Sequence, residues 1–117
     1  NVNYDKLEDR DLSTIIQYSI GLSSHEEKDI RLQATRTIVL LCKSKYKELA
    51  LSQLSKMMDN EIYQIKIAII YGVYEVDVED NKKKDYIIKK GLVDNHYLIR
   101  MAANETQDKM STNNGTL

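Results

Sequence analysis

Residues 29–34 read DIRLQA, residues 64–69 read QIKIAI and residues 98–103 read LIRMAA. Each stretch sets an aliphatic residue before a cation and follows the pair with small or apolar side chains, at a recurrence of about 35 residues. Superposing them pairs Ile30-Arg31 with Ile65-Lys66 and Ile99-Arg100, and it also pairs Leu22, Met57 and Leu92 on the preceding segments. The register therefore spans two elements rather than one motif. Apolar residues at spacings of three and four make both elements helices. The first members are expected at roughly 12–22, 46–58 and 83–93, and the second at roughly 28–43, 62–78 and 96–109. Between them stand SSHEE, DNE and DNH, polar turns whose Ser, Asp and Asn side chains suit the orphan amide protons of the next helix.

A unit of this size cannot bury its own apolar face, so neighbouring units must stack, and a period between about 20 and 50 residues marks a solenoid. Ile30, Ala34, Ile38 and Leu41 give the inward stripe of the first unit. Ile65, Ile69, Val73 and Val76 give that of the second. In the third, Ile99 and Ala103 begin a stripe that Thr106, Lys109 and Met110 continue weakly, a polar ending suited to a terminal unit. Residues 1–110 are read as one domain and 111–117 as a flexible tail, and the polar segments at both ends make the chain look self-contained.

Composition agrees with an all-helical chain: there is no proline, only four glycines, and 42% of the 117 residues are apolar. The net charge of -1, from 17 basic and 18 acidic residues, supplies no global field toward a phosphate backbone or an anionic membrane. The apolar runs are too short to span a bilayer, and the charged start NVNYDKLEDRD is unlike a secretory signal. The single Cys42, inside TIVLLC, cannot form an intrachain disulfide and reads as a buried thiol. These features lead us to expect a soluble protein of the cytoplasm.

The repeated residues resemble the HEAT-like (armadillo-type) helical repeat family, whose second helix opens with an acid-containing turn, then Val-Arg, then Ala. IRLQA and IRMAA follow that pattern well and IKIAI loosely, over about residues 12–109. Asp59 and Asp94 stand before Lys66 and Arg100 as the family's turn-to-Arg ladder requires. The first turn departs, carrying Ser24, so Asp29 or Glu27 is expected to serve Arg31, the latter at i, i+4. The proline common in this family's first helix is missing, which leaves armadillo or another hairpin repeat open. The resemblance implies a right-handed α-solenoid of about three hairpins, at 12–43, 46–78 and 83–109. It also implies a concave face lined by the second helices, with Arg36, Tyr71, Tyr74 and Glu105 along it. Small stand-alone members of this kind include bacterial immunity proteins that occlude a cognate toxin, and a fragment of a larger scaffold solenoid would read alike. Glycosylases of similar fold raise a nucleic-acid alternative, which would need a basic groove that Tyr71, Glu75 and Glu105 do not make.

Chemistry-bearing constellations are few. His25-Glu26-Glu27 with Asp29 lacks metal-ligand spacing, the only other histidine is His96, and no Gly-rich phosphate loop or nucleophile triad is present. We expect no catalysis, cofactor or metal. The acidic run Glu75, Asp77, Glu79 and Asp80, followed by Lys82-Lys83-Lys84, reads either as a solvated helix end or as a loop edge that orients a charged partner. There are eight tyrosines and no Phe or Trp. Tyr71 and Tyr74 lie off the inward stripe, where they either pack at a helix rim or serve as contact residues for another protein, since Tyr and Arg are enriched at binding hot spots.

Overall fold

The computed structural model describes the backbone of residues 7–76 and 82–115, with side chains up to Ser111. Six helices account for it: α1 (Asp9–Leu22), α2 (Lys28–Leu41), α3 (Lys47–Met57), α4 (Tyr63–Tyr74), α5 (Lys82–Leu92) and α6 (Tyr97–Gly115). The described residues contain no strand. No helix among them is long and apolar enough to cross a membrane. Five helices fall within a few residues of the spans expected from the sequence. The sixth runs on to Gly115, so residues 111–115 are helical where a tail was expected from 111.

The helices form two layers. In one, α2 lies beside α4 and α4 beside α6; on the other side α1 packs on α2, α3 on α2 and α5, and α5 on α4 and α6. The extents of 39 × 37 × 24 Å suit two helical layers, since a helix with its side chains is about 10–12 Å across. The middle pair departs from the expected hairpin, because α3 packs chiefly against α2 and α5 rather than against α4.

The apolar stripes explain this packing. Ala34, Ile38 and Leu41 of α2 are buried, as are Ile65, Ile69 and Val73 of α4 with Val76 just beyond it. Ile30, expected in the stripe, is only half-buried. In α6 the stripe consists of Ile99, Ala102, Ala103 and Thr106, and Lys109, expected to continue it, is exposed because its side chain reaches back to Glu105. Close approach is secured where side chains vanish. A Cβ on Gly72 would lie 2.7 Å from Val39 Cγ1, and one on Gly91 would lie 2.9 Å from the Ala103 Cβ. These glycines let α4 approach α2 and let α5 approach α6.

The first two turns are closed differently from expectation. The N-cap positions of α2 and α4 are Glu27 and Ile62, and neither makes a side-chain cap. At those two helices His25 Nδ1 accepts from the Glu27 N–H and Glu61 Oε1 from Ile62, whereas in the third turn Asp94 Oδ1 accepts from His96, an Asp acceptor as expected.

The first two of the three repeated cations each tie one turn to the next. Arg31 donates Nε to Glu61 Oε2 at 3.0 Å and its second terminal nitrogen to Oε1 at 3.1 Å, while its first holds the His25 and Glu26 carbonyls. Lys66 Nζ lies 2.8 Å from Asp94 Oδ2. Arg31 is thus served by neither Asp29 nor Glu27, and Lys66 not by Asp59. The acid comes from the following unit, because the guanidinium or ammonium at the start of one second helix faces the turn before the next. Asp59 is held by the Tyr86 hydroxyl at 2.6 Å and Lys90 at 3.2 Å. Arg100, the last of the three, holds the Asp94 and Asn95 carbonyls.

Asp94 makes one junction sensitive to acid. Burial raises its pKa, but the Lys66 ammonium and the His96 amide lower it by more, so it lies below the ordinary value of 3.8. A folded-state pKa below the unfolded one adds stability that is present above the unfolded value and lost as pH falls through the folded one. In denaturant titrations, the advantage of the wild type over Asp94→Asn should hold steady near neutrality and shrink below about pH 4. A gap that stays constant down to the acid transition would show that the pair does not contribute.

Candidate protein-binding face

The row α2–α4–α6 brings Arg36, Tyr71 and Glu105 to one register position on three adjacent helices. Tyr71 is 44% exposed, and its hydroxyl donates to Glu105 Oε2 at 3.0 Å. Partial burial, reinforced by the Glu105 carboxylate, raises the phenol pKa, so Tyr71 remains a donor at neutral pH. Lys109 Nζ lies 3.4 Å from Glu105 Oε1 and 5.9 Å from the centre of the half-buried Tyr74 ring. The two tyrosines of α4 and two charged residues of α6 therefore form one connected cluster across the α4–α6 seam. Arg36 stands exposed on α2 outside this cluster, with no ion-pair or hydrogen-bond partner among the described residues.

The loop edge is less defined. Glu75 is exposed just past α4, whereas Asp77, Glu79 and Asp80 lie outside the described residues. The lysines that follow are structural in part: Lys84 Nζ binds the Tyr74 and Val76 carbonyls at 3.3 and 2.8 Å, closing the end of α4, and Lys83 meets Glu48 at 3.2 Å.

Apolar exposure is greatest on α6 and α4. Of ten large exposed apolar side chains among the described residues, six belong to α2, α4 and α6: Leu40, Tyr63, Tyr71, Tyr97, Leu98 and Met101. The helices α1, α3 and α5 carry one each, Tyr18, Leu49 and Tyr86. Leu98 and Met101 escaped the sequence reading although they stand inside LIRMAA. The signal was there in register, for Leu98 occupies the place held by Asp29 and Gln64. Met101 occupies that of Leu32 and Ile67, which are half-buried in the packed row, whereas Met101 is 48% exposed.

Other constellations are occupied structurally. Among the described residues no group of three His, Cys, Asp or Glu side chains is placed to hold a metal ion. His96 Nδ1 accepts the Leu98 N–H, and its ring stacks on Tyr63 with centroids 4.3 Å apart. Burial pushes the Cys42 thiol up to about 12, so it stays protonated. A polar cleft of about 480 Å³ lies between the α1–α2 turn and the end of α3, lined by His25, Lys56 and Asn60 and floored by the Arg31–Glu61 pair. Comparison with protein-family models, curated proteins and solved structures finds no match to this chain.

Proposed function

We propose that the chain is a non-enzymatic protein-interaction module, a right-handed HEAT-like solenoid built from three helix pairs, that binds another protein through the exposed face of α2, α4 and α6. The observation that carries this is the exposed tyrosine cluster that Glu105 and Lys109 hold across the α4–α6 seam, with Leu98 and Met101 exposed on α6. Tyrosines held before binding lose little freedom on contact, and an amphipathic ring beside a satisfied carboxylate suits a protein surface. In the biological reading we favour, the module acts in the cytoplasm as an immunity protein that occludes a cognate toxin; a scaffold segment of a larger solenoid is the second. A nucleic-acid role has little support, because the face carries Glu75 and Glu105 alongside Arg36 and Lys109 rather than a basic stripe.

The test is the double substitution Tyr71→Ala with Tyr74→Ala. Once a pull-down from the source cell has supplied the partner, calorimetric titration should show the complex weakened by at least about 2 kcal/mol, with helical circular dichroism retained. Full-strength binding by the double variant, together with loss on reversing Glu75, Asp77, Glu79 and Asp80 to Lys, would move recognition to the loop edge. Loss of helical signal would mean that the tyrosines are core residues.

A further inference from the structure

We propose that the same face also binds a second copy of this chain, in a two-fold dimer whose axis runs along α4 over Tyr71; this rests on the reading of that face as a protein-binding surface. Arg36, Tyr71 and Glu105 are register equivalents on α2, α4 and α6, and the Tyr71–Glu105 hydrogen bond sets two of them side by side, so the row reads cation, aromatic, carboxylate. A two-fold axis parallel to α4 and lying in the interface turns α2 onto the partner's α6 without changing height. Register equivalents then face one another. Arg36 meets the partner's Glu105, Glu105 meets the partner's Arg36, and Tyr71 meets the partner's Tyr71 on the axis.

Three observations favour this occupant. Arg36 is exposed beside an apolar surface with no partner among the described residues. Glu105 accepts one hydrogen bond from Tyr71 and lies 3.4 Å from Lys109, and a carboxylate has capacity left for a guanidinium fork. The apolar groups match in the same rotation: half-buried Leu32 falls opposite the partner's exposed Met101, and exposed Leu40 lies along the alkyl stem of the partner's Lys109. An axis at right angles to α4 would instead set Arg36 against the partner's Arg36, and like charges in contact disfavour that arrangement. The contact is isologous and closes at two copies.

Sedimentation velocity over a concentration series into the high micromolar range reads the association directly. The wild type should shift from monomer to dimer. Arg36→Glu and Glu105→Arg should each raise the dissociation constant by about tenfold or more, since each sets like charges opposite one another, while the double reversal restores it to within about threefold. Retained circular dichroism shows that the variants are folded, and recovery in the double variant cannot come from a purely structural effect. A wild type that stays monomeric overturns the proposal, as does a dimer that ignores both single reversals. If that monomer still loses its partner protein on Tyr71→Ala with Tyr74→Ala, only self-association fails and the face remains a binding site. Loss of neither dimer nor partner complex on any of these changes defeats both readings.

Discussion

The substitution Ile69→Asp is expected to leave the chain unfolded at room temperature. Ile69 has no exposed surface and sits on α4, the helix flanked by α2 and α6 and touched by α5. Replacing the isoleucine forfeits about 1.5–3 kcal/mol of apolar burial. It also forces a carboxyl group with no partner into the core, which costs several kcal/mol more, whether the group is buried charged or is first protonated. The total rivals the whole stability of a domain this size, on the order of 5–10 kcal/mol. Far-ultraviolet circular dichroism against temperature checks it, and a wild-type melting curve would mean that Ile69 faces solvent.

Glu61→Ala should cost about 3 kcal/mol, near the lower end of the range for breaking a buried pair. The Arg31 and Glu61 side chains are 17% and 7% exposed, so the variant leaves a nearly enclosed guanidinium with two donors unmatched. The adjoining cleft keeps the penalty from the top of the range, because water entering there can meet part of the orphaned fork. Charge removal and charge stranding can be separated. Replacing both members, Arg31→Met with Glu61→Met, should cost less than Glu61→Ala alone, because no buried charge is then left unpaired. Urea denaturation of the wild type and the two variants gives the comparison; a double variant less stable than the single would mean that the pair contributes more than the stranded charge explains.

The helices were legible because apolar residues spaced by three and four survive as a pattern in the chain, and three echoes fixed where each pair begins. Identities across the seams were not legible in the same way. Glu61 does not stand out in the sequence as Arg31's partner, because the nearer acids Glu27 and Asp29 satisfy a local rule. The actual partner depends on where α4 sits relative to α2, and a glycine opposite Val39 helps decide that. The packing of α3 on α2 and α5 rather than on α4 is likewise a matter of three-dimensional placement that periodicity does not encode. On the candidate face, Tyr71, Tyr74 and Glu105 could be placed from register alone and the structure joins them. Leu98 and Met101 were hidden because a hydrophobic residue beside an inward stripe reads as core until its exposure in the packed structure is known.

The two junction pairs also bear on how such a chain can be rearranged in evolution. Arg31 grips Glu61 as a flat fork, whereas Lys66 meets Asp94 as a point charge, and the two acids do not occupy equivalent places in their turns. Glu61 shares its place with Glu26 and Asn95, and Asp94 shares its place with His25 and Asn60. A deletion that spliced the first unit directly to the third would set the Arg31 fork against Asn95, exchanging a carboxylate for an amide. A tandem duplication of the second unit would bring Lys66 opposite Asn60 and leave it to find Glu61 one residue along. The charges at the seams therefore record the order of the units, and recombination that scrambles that order meets a mismatch at the first joint it creates.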